Sequence, residues 1–370
     1  YAPGELGEVV PRREDIAIED GSTTRGEPSY WSRNLWYNGD AYWHFRESDH
    51  WAEDFNAWWR WCLRNRLDLL GQKHVTRYKH VAPPRIRNHH YIHRAALKGV
   101  DIEEDPERFA LYKDRKPDNR FPVGVKTENG YRIQTDNICM TSRANIEQAT
   151  AHAIDYLKKR PALTIAPMAL GDFSGVCECD RCRAANGGVD PALAPDRVVW
   201  KFMNEVSRGV DEVLPGKGAG FYACYGKMTR PPEGLKAAPT ALAVVTHVEC
   251  NAHDIADQNC LYNKIRMGHL EAIQAAGSRV KLRAYTMWYG RVQPLAVLDS
   301  IKSFYRAGAR AYSCELMGRD ELRNIVQWCM AQLLWNSQAD PRKLLREYTT
   351  RYYGPAGDDV LAILTRLDKQ

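Results

Sequence analysis

Residues 280–318, VKLRAYTMWYGRVQPLAVLDSIKSFYRAGARAYSCELMG, decide the fold class of this chain. Two short apolar runs, VKLRAYTMWYG and ARAYSCELMG, enclose a segment in which Leu298, Ile301 and Phe304 recur at helical spacing. Gly308 follows that segment, where a helix cap and a turn into the next strand are expected. A strand, a helix and a second strand in this order predict a parallel βα unit.

The same alternation of β-rich runs and amphipathic helical segments extends from about residue 130 to the C-terminal part of the chain. No Gly-rich phosphate-binding loop follows the strands, and polar or aromatic residues stand at nearly every carboxyl end. The pattern therefore favours an α/β protein with a (β/α)8 TIM-type barrel over a doubly wound sheet. The predicted strands are YWSRNLWYN, LDLLGQKHV, YRIQTDNICM, ALTIAPMALGD, GAGFYACYG, LAVVTHVE, VKLRAYTMWYG and ARAYSCELMG.

The segments that flank the predicted barrel differ from it in composition. Residues 1–30 are rich in Gly, Pro and charge, and we expect them to form a linker or N-terminal strap that enters the barrel. The predicted barrel takes up residues 31–340, and residues 341–370 begin a helical C-terminal region with a Gly-Pro break. The opening YAPGELGEVVP is more typical of the middle of a protein than of its start.

The overall composition excludes two classes of partner. The 370 residues are 44% hydrophobic and 26% charged, and no stretch reaches the roughly 18 apolar residues of a membrane-spanning helix. The net charge of +6 is spread along the chain among acidic residues, unlike the clustered basic stripe of a nucleic-acid-binding surface. We therefore expect no membrane span and no nucleic-acid partner.

Tryptophan is abundant, and seven of the 11 tryptophans lie between Trp31 and Trp61. Flat aromatic rings stack on the apolar faces of pyranose rings, so such a run is typical of glycan-binding proteins. Trp58 and Trp61 stand on a helical face and are interpreted as core residues. Trp31, Trp36 and Trp43 stand in strand or loop context and are the better candidates for contact with a sugar.

Residues at the carboxyl ends of the strands are the candidates for chemistry, because barrel enzymes place their reacting groups there. Cleavage of a glycosidic bond needs a proton donor and a group that stabilises or captures the oxocarbenium-like centre, usually two carboxyl groups. Asp172 and Glu315 are predicted to supply them, with Glu249 as a third candidate; each would also suit an ordinary ion pair at a strand end. The candidate substrate-binding residues are Arg33, Trp36, His74, His90, Tyr225, Tyr285 and Trp288.

The most specific local motif is Cys-x-Cys-x-x-Cys, formed by Cys177, Cys179 and Cys182. These three thiols, with Cys139, are able to hold a structural zinc ion. The alternative is disulfide pairing in an exported protein. In both interpretations the cysteines hold the loop beside Asp172 and are not catalytic.

Two further clusters contain residue types that bind metal ions, but their spacing does not predict a metal site. Cys250 and Cys260 bracket NAHDIADQN, and a bond between them would close a small loop. His89, His90 and His93 lie in NHHYIHR, but histidines clustered in a loop more often contact solvent or substrate than metal. We therefore predict neither a catalytic metal nor a cofactor.

Further segments match a known family in order along nearly the whole chain: YAPGELGEVVP, DPERFALYKDRKP, NICMTSRANI, CECDRC, FMNEV, YACYGKMTRPP, CNAHDIADQNCLYN, RAYTMWYG, LLWN and YYGPAG. On these segments the sequence resembles the bacterial domain-of-unknown-function family numbered 4838, which includes glycoside hydrolase family 163. The resemblance implies a (β/α)8 barrel preceded by a small α/β domain, in exported proteins of glycan-degrading bacteria. It therefore implies a secreted, periplasmic or cell-surface location.

The resemblance also implies an activity. Characterised members of that hydrolase family are endo-β-N-acetylglucosaminidases, so we expect a glycan or glycoprotein substrate and a retaining mechanism in which the substrate's 2-acetamido oxygen is the nucleophile. The family has Asn-Asp-Gly at the end of the fourth strand, whereas this chain has Gly171-Asp172-Phe173. A non-catalytic glycan-binding barrel and an exo-glycosidase of the α-glucuronidase type are the alternatives.

Overall fold

The computed structural model describes residues 27–37, 61–62, 64–67, 92–113, 123–126, 131–170, 176–189, 196–223, 230–247, 250, 252–285, 293–316 and 321–367. The chain divides into two compact units. The first unit contains residues 1–81, 247–267 and 282–370, and the second contains residues 82–246 and 268–281. Within the described part of the chain, none of the helices combines the length and the apolar character needed to cross a membrane.

Strands and helices alternate along most of the described chain, as predicted for an α/β protein. In chain order the elements are β1 (Ser32–Tyr37), α1 (Ile92–Ala96), β2 (Phe109–Lys113), β3 (Val123–Lys126), β4 (Tyr131–Ile138), α2 (Arg143–Lys158), β5 (Ile165–Pro167), α3 (Asp180–Ala185), α4 (Asp196–Val213), β6 (Gly218–Ala223), β7 (Leu242–His247), α5 (Leu261–Ala275), β8 (Arg279–Ala284), α6 (Pro294–Arg306), β9 (Ala311–Leu316), α7 (Glu321–Trp335), α8 (Pro341–Tyr353) and α9 (Gly357–Leu367).

The first unit is organised around β1 and β9, which pair in parallel. The carboxyl half of β8 lies on the other side of β9, where Ser313 Oγ donates to the carbonyl oxygen of Leu282 at 3.3 Å. Helix α7 packs against β1 and α6, and α8 packs against α7 and α9. The core of this unit contains Leu35 and Cys314, which are register partners on the paired strands.

The second unit contains β5, β6 and β7, which pair in parallel, followed by the amino-terminal part of β8. Every residue of β6 is buried, as expected for a parallel strand covered on both faces. Helix α4 packs against β6 and α2. Four apolar residues recur at helical spacing along α2 and all are buried: Ile146, Ala149, Ala153 and Leu157.

The strand predicted over YRIQTDNICM forms, but its assignment to the parallel sheet is wrong. As β4 it pairs antiparallel with β2 on one side and with β3 on the other. The alternation of apolar and polar residues indicates a half-buried strand, but it does not specify the neighbouring strand. The sequence therefore located this element correctly and gave it the wrong partners.

The parallel sheet has six strands among the described residues, namely β1 and β5 to β9. These correspond to six of the predicted barrel strands, so the α/β class and the parallel sheet are confirmed. The predicted strand LDLLGQKHV lies outside the described residues from Asp68 onward. Closure into a complete eight-stranded barrel stays a prediction.

Glycines mark turns and one close approach between backbones. Gly308, predicted to end a helix, and Gly277 each have a φ of 84°, which is the left-handed conformation typical of a glycine cap. Gly218 begins β6 and has a different role. A Cβ atom on Gly218 would lie 2.1 Å from the carbonyl oxygen of Thr240, so only glycine fits at this position.

Candidate functional site

Three of the predicted site residues lie at the carboxyl ends of neighbouring strands in the first unit. Trp36 in β1 and Glu315 in β9 are register partners. Tyr285 directly follows β8, the strand on the other side of β9. Because parallel strands end at the same edge of a sheet, an aromatic residue, a glutamate and a tyrosine are brought to one edge.

Tyr285 is the member of this group whose side chain is described. It is half-buried, and its ring centroid lies 5.4 Å from Cζ of Arg283. A guanidinium at this distance attracts the negative face of the ring. The tyrosine is thus held beside a cation at the end of β8.

Arg33 occupies a different place from the one expected of a strand-end residue. It is the second residue of β1, near the amino end of the strand. Its guanidinium donates hydrogen bonds to the carbonyl oxygens of Arg66, at 3.0 Å, and of Tyr30, and its Cζ lies 5.6 Å from the ring centroid of Trp335. These bonds tie β1 to its surroundings, and a role for Arg33 in substrate binding stays a prediction.

The remaining predicted site residues lie outside the described part of the chain. Along the sequence, Tyr225 follows the last residue of β6, Glu249 follows the last residue of β7, and Asp172 follows β5. Their proposed roles stay predictions, as do those of the other undescribed candidates. The full undescribed set is Asp172, Glu249, His74, His90, Tyr225 and Trp288.

A cluster of four thiols lies in the second unit. The Sγ atoms of Cys139, Cys177, Cys179 and Cys182 all lie within 4.8 Å of one another. Cys139 Sγ is 3.7 Å from Cys179 Sγ and 3.7 Å from Cys182 Sγ. Cys179 is half-buried and the other three are buried. We refer to this group as the four-cysteine cluster.

A buried polar network positions Cys139 at the end of β4. Its N–H donates to the carbonyl oxygen of Arg108 at 2.9 Å, and its own carbonyl oxygen accepts from Asn145 Nδ2 at 3.0 Å. Asn145 Nδ2 also donates to the carbonyl oxygen of Arg108 at 2.6 Å. In return, Arg108 Nε donates to Asn145 Oδ1 at 2.9 Å. Sequence reasoning missed Arg108 and Asn145, although Asn145 lies in the same NICMTSRANI segment as Cys139.

Backbone and hydroxyl groups surround the sulfur atoms. The Leu111 N–H donates to Cys177 Sγ at 3.4 Å. Thr141 Oγ1 lies 3.3 Å from Cys139 Sγ and 3.3 Å from Cys182 Sγ. Such contacts stabilise negative charge on sulfur and fix the orientation of the thiols.

The electrostatics of the cluster favour a thiolate at Cys139. Hydrogen bonds from the other thiols, the largest effect coming from Cys177, lower the pKa of Cys139. The hydrogen bond with Cys139 is the largest of the causes that raise the pKa of Cys177. Arg181 Nη2 lies 3.9 Å from Cys139 Sγ and adds a positive charge beside it. The thiolate is the form of cysteine that binds metal ions.

A second group of sulfur and nitrogen atoms lies in the first unit. Cys250 Sγ is 3.2 Å from His253 Nδ1, and the ligand atoms of Cys250, His253 and Cys260 all lie within 4.8 Å of one another. His253 is exposed, and both cysteines are half-buried free thiols. The proximity of Cys250 to Cys260 agrees with the predicted small loop, and a bond between them stays a prediction.

The fold and these sites are those of an α/β protein built on a parallel sheet. The family model described as "Domain of unknown function (DUF4838)" matches residues 2–364, and the chain therefore belongs to this family. This confirms the family resemblance of the sequence. The match is to the DUF4838 family as a whole. Membership of glycoside hydrolase family 163 stays a prediction.

Among solved structures, the fold is similar to that of a family GH115 4-O-methyl-α-glucuronidase with specificity for decorated arabinogalactans. The TM-score is 0.50 and the sequence identity 11%, over 93% of this chain. The similarity covers 44% of that enzyme's chain, so this protein spans less than half of its length. At this identity the similarity concerns the fold alone. A comparison with curated protein sequences gives no match.

Proposed function

We propose that this chain belongs to the catalytic part of a glycoside hydrolase that cleaves a glycosidic bond in a complex glycan. The observation that carries the proposal is the register of β1 against β9, which sets Trp36 opposite Glu315 near the carboxyl ends of both strands. An indole offers a flat surface to a sugar ring, and a neighbouring carboxyl group offers acid–base chemistry. The similarity in fold to a glucuronidase agrees with this assignment.

The proposed reaction uses two carboxyl groups, of which Glu315 is one and Asp172 or Glu249 is the other. One carboxyl group donates its proton to the glycosidic oxygen as the bond from that oxygen to the anomeric carbon breaks. The second orients the 2-acetamido group, whose carbonyl oxygen forms a bond to the anomeric carbon. Water then opens the resulting ring and returns a proton to the first carboxylate, so the configuration is retained.

The proposed substrate is a β-N-acetylglucosaminide within an N-glycan, which rests on the family resemblance of the sequence. In this proposal the protein is secreted, periplasmic or at the cell surface, where such glycans are found. The proposal also includes closure of the parallel sheet into a complete (β/α)8 barrel. A second candidate, an exo-acting α-glucuronidase, is favoured by the fold similarity to the GH115 enzyme.

The test is to incubate the purified protein with an N-glycoprotein and, separately, with a glucuronate-decorated arabinogalactan. Mass spectrometry of the products distinguishes the two activities. Endo cleavage leaves a single N-acetylglucosamine on the protein, whereas the second activity releases a glucuronic acid.

Glu315→Gln tests the site. We expect this variant to lose activity by about 100-fold or more, because it loses a proton-transfer group, with an unchanged melting temperature. Glu205→Gln is the matched control, since Glu205 forms an exposed ion pair with Arg143 at 3.3 Å. Full activity of Glu315→Gln would refute the assignment. Glycan binding without hydrolysis in the wild type would instead favour the non-catalytic alternative.

A further inference from the structure

We propose that Cys139, Cys177, Cys179 and Cys182 bind a single zinc ion in a closed, four-coordinate structural site. The four sulfur atoms come from two parts of the second unit. Cys139 directly follows β4, and the other three cysteines lie in the segment that leads into α3 and in α3 itself.

The spacing of the sulfur atoms is that of a tetrahedral zinc site. A zinc–sulfur bond of about 2.3 Å in tetrahedral geometry sets the sulfur atoms about 3.8 Å apart. Cys139 Sγ lies 3.7 Å from Cys179 Sγ and 3.7 Å from Cys182 Sγ. Since no pair in the cluster is separated by more than 4.8 Å, one ion can contact all four sulfur atoms after small side-chain adjustments.

Disulfide pairing fits this arrangement less well. A disulfide brings two sulfur atoms to about 2.05 Å, so four cysteines would form two close pairs. Cys139 Sγ is instead 3.7 Å from both Cys179 Sγ and Cys182 Sγ, which is far longer than a disulfide bond. Each of the four is a free thiol in the structure.

The surroundings of the cluster suit a negatively charged metal centre. Four thiolates around a divalent ion leave a net charge of about −2. The Leu111 N–H points at Cys177 Sγ from 3.4 Å, and Arg181 Nη2 lies 3.9 Å from Cys139 Sγ. A backbone donor and a guanidinium of this kind are the partners that metal-bound thiolates use to disperse their charge.

The role of this ion is structural, because protein ligands fill all four positions and leave none for water or substrate. The ion fastens the end of β4 to α3. Two further hydrogen bonds tie the cysteine segment to β2 and to the turn before it: the Glu178 N–H donates to the carbonyl oxygen of Leu111 at 2.8 Å, and the Arg181 side chain donates through Nη2 to the carbonyl oxygen of Glu107 at 3.2 Å. The zinc site therefore holds the segment that follows Asp172 in the sequence.

The first test is the metal content of the protein, purified without a polyhistidine tag and measured by inductively coupled plasma mass spectrometry. We expect about one zinc ion at the cluster per chain, lost in Cys139→Ser and in Cys179→Ser. Cys329→Ala is the matched control, because this buried cysteine belongs to α7 and not to the cluster. Equal zinc content in the wild type and in Cys179→Ser, or iron in place of zinc, would overturn the proposal.

The wild-type protein gives a second test that does not depend on the folding of a variant. Titration with an organomercurial should release zinc as four thiols react, and cobalt exchanged into the protein should show the absorption of tetrahedral thiolate coordination. Peptide mapping without reduction should find these cysteines unpaired, and two disulfides among them would exclude the site. None of the four thiols takes part in the proposed hydrolysis, so zinc content and glycan hydrolysis can fail independently.

Discussion

Trp36 and Glu315 are register partners, and each is the penultimate residue of its strand. Adjacent strands of a sheet are about 4.8 Å apart, which is close to the width of a sugar ring. In the proposed site, a sugar in contact with Trp36 would therefore lie about one strand spacing from the backbone of Glu315. Trp36 and Glu315 can therefore be tested as a pair.

Replacing Trp36 with alanine should weaken substrate binding. The loss of one aromatic stacking surface corresponds to roughly a 2- to 10-fold increase in KM, with a smaller effect on kcat. Trp36→Phe keeps a flat ring and should recover most of the affinity. Steady-state kinetics on the substrate identified by the glycan panel measure both variants, and an unchanged KM in Trp36→Ala would remove this residue from the site.

Replacing Asn145 with alanine should destabilise the second unit and loosen the four-cysteine cluster. Asn145 is fully buried and bonds to the backbone of both Arg108 and Cys139. The unpaired groups left behind should lower the free energy of unfolding by about 1–3 kcal/mol. Asn145 also positions Cys139 through its backbone carbonyl group. The variant should therefore release zinc to a chelator faster than the wild type.

The control for this experiment is Gln148→Ala. Gln148 Oε1 also accepts a hydrogen bond from Arg108 Nη2, at 2.5 Å, but Gln148 Nε2 donates to the carbonyl oxygen of Lys98 and not to that of Cys139. This variant should lose less stability and release zinc at the wild-type rate. Equal zinc release from wild type and Asn145→Ala would show that Asn145 supports the fold without positioning the cysteine.

Adding one methyl group at Gly218 should destabilise the folded protein. The new Cβ would lie 2.1 Å from the carbonyl oxygen of Thr240, so Gly218→Ala should lower the free energy of unfolding by about 1–3 kcal/mol or more. Gly268→Ala, in the middle of α5, meets nothing within 4 Å and should raise stability by about 0.5–1 kcal/mol. Urea unfolding of the two variants provides the comparison, and equal effects would contradict the close approach at Gly218.

Asp196 should make stability fall as pH rises. Its Oδ1 is buried with no hydrogen-bond partner among the described residues, and desolvation raises the pKa of its carboxyl group from 3.8 to about 7. The folded protein thus keeps this proton to higher pH than the unfolded chain, so the contribution of Asp196 to stability is most favourable below about pH 4 and declines towards about pH 7. Asp196→Asn mimics the protonated acid and should remove this decline.

Urea unfolding at about pH 4 and about pH 8 measures the difference between the two proteins. Asp196→Asn should gain stability over the wild type at the higher pH and little at the lower pH. A difference that is the same at both pH values would mean that Asp196 is already ionised in the folded protein.

Local patterns in the sequence predicted the elements well, because burial of one face makes apolar residues recur at the spacing of a helix or a strand. The apolar residues of α2 that recur at helical spacing are buried, and the parallel strands β6 to β9 form at the predicted apolar runs. β4 was located by the same logic but assigned to the wrong sheet, because alternation reports which face is buried and not which strand is adjacent. The choice of partner depends on contacts distant in sequence, which no local pattern contains.

In the candidate sites, too, residues close together in the sequence could be predicted, whereas contacts between distant residues could not. Cys177, Cys179 and Cys182 are close in the chain, so their spacing alone suggested a metal site, and Cys139 could be added because it ends a predicted strand. Arg108 and Asn145 had no such signal. A buried side-chain amide that bonds to backbone carbonyl groups produces no recurring pattern in the sequence. A barrel already predicts that its first and last strands pair, but the register that sets Trp36 opposite Glu315 is seen only in the assembled fold.

The position of the four-cysteine cluster in the chain also bears on the order of events in folding. An ion held by both Cys139 and Cys182 would close the intervening chain into a ring that contains α2 and β5. The ends of this ring are far apart in sequence, so the complete ligand set cannot assemble until the chain has paid the entropy of loop closure. Metal capture would therefore require that this ring has closed, and the captured ion would thereafter oppose its reopening.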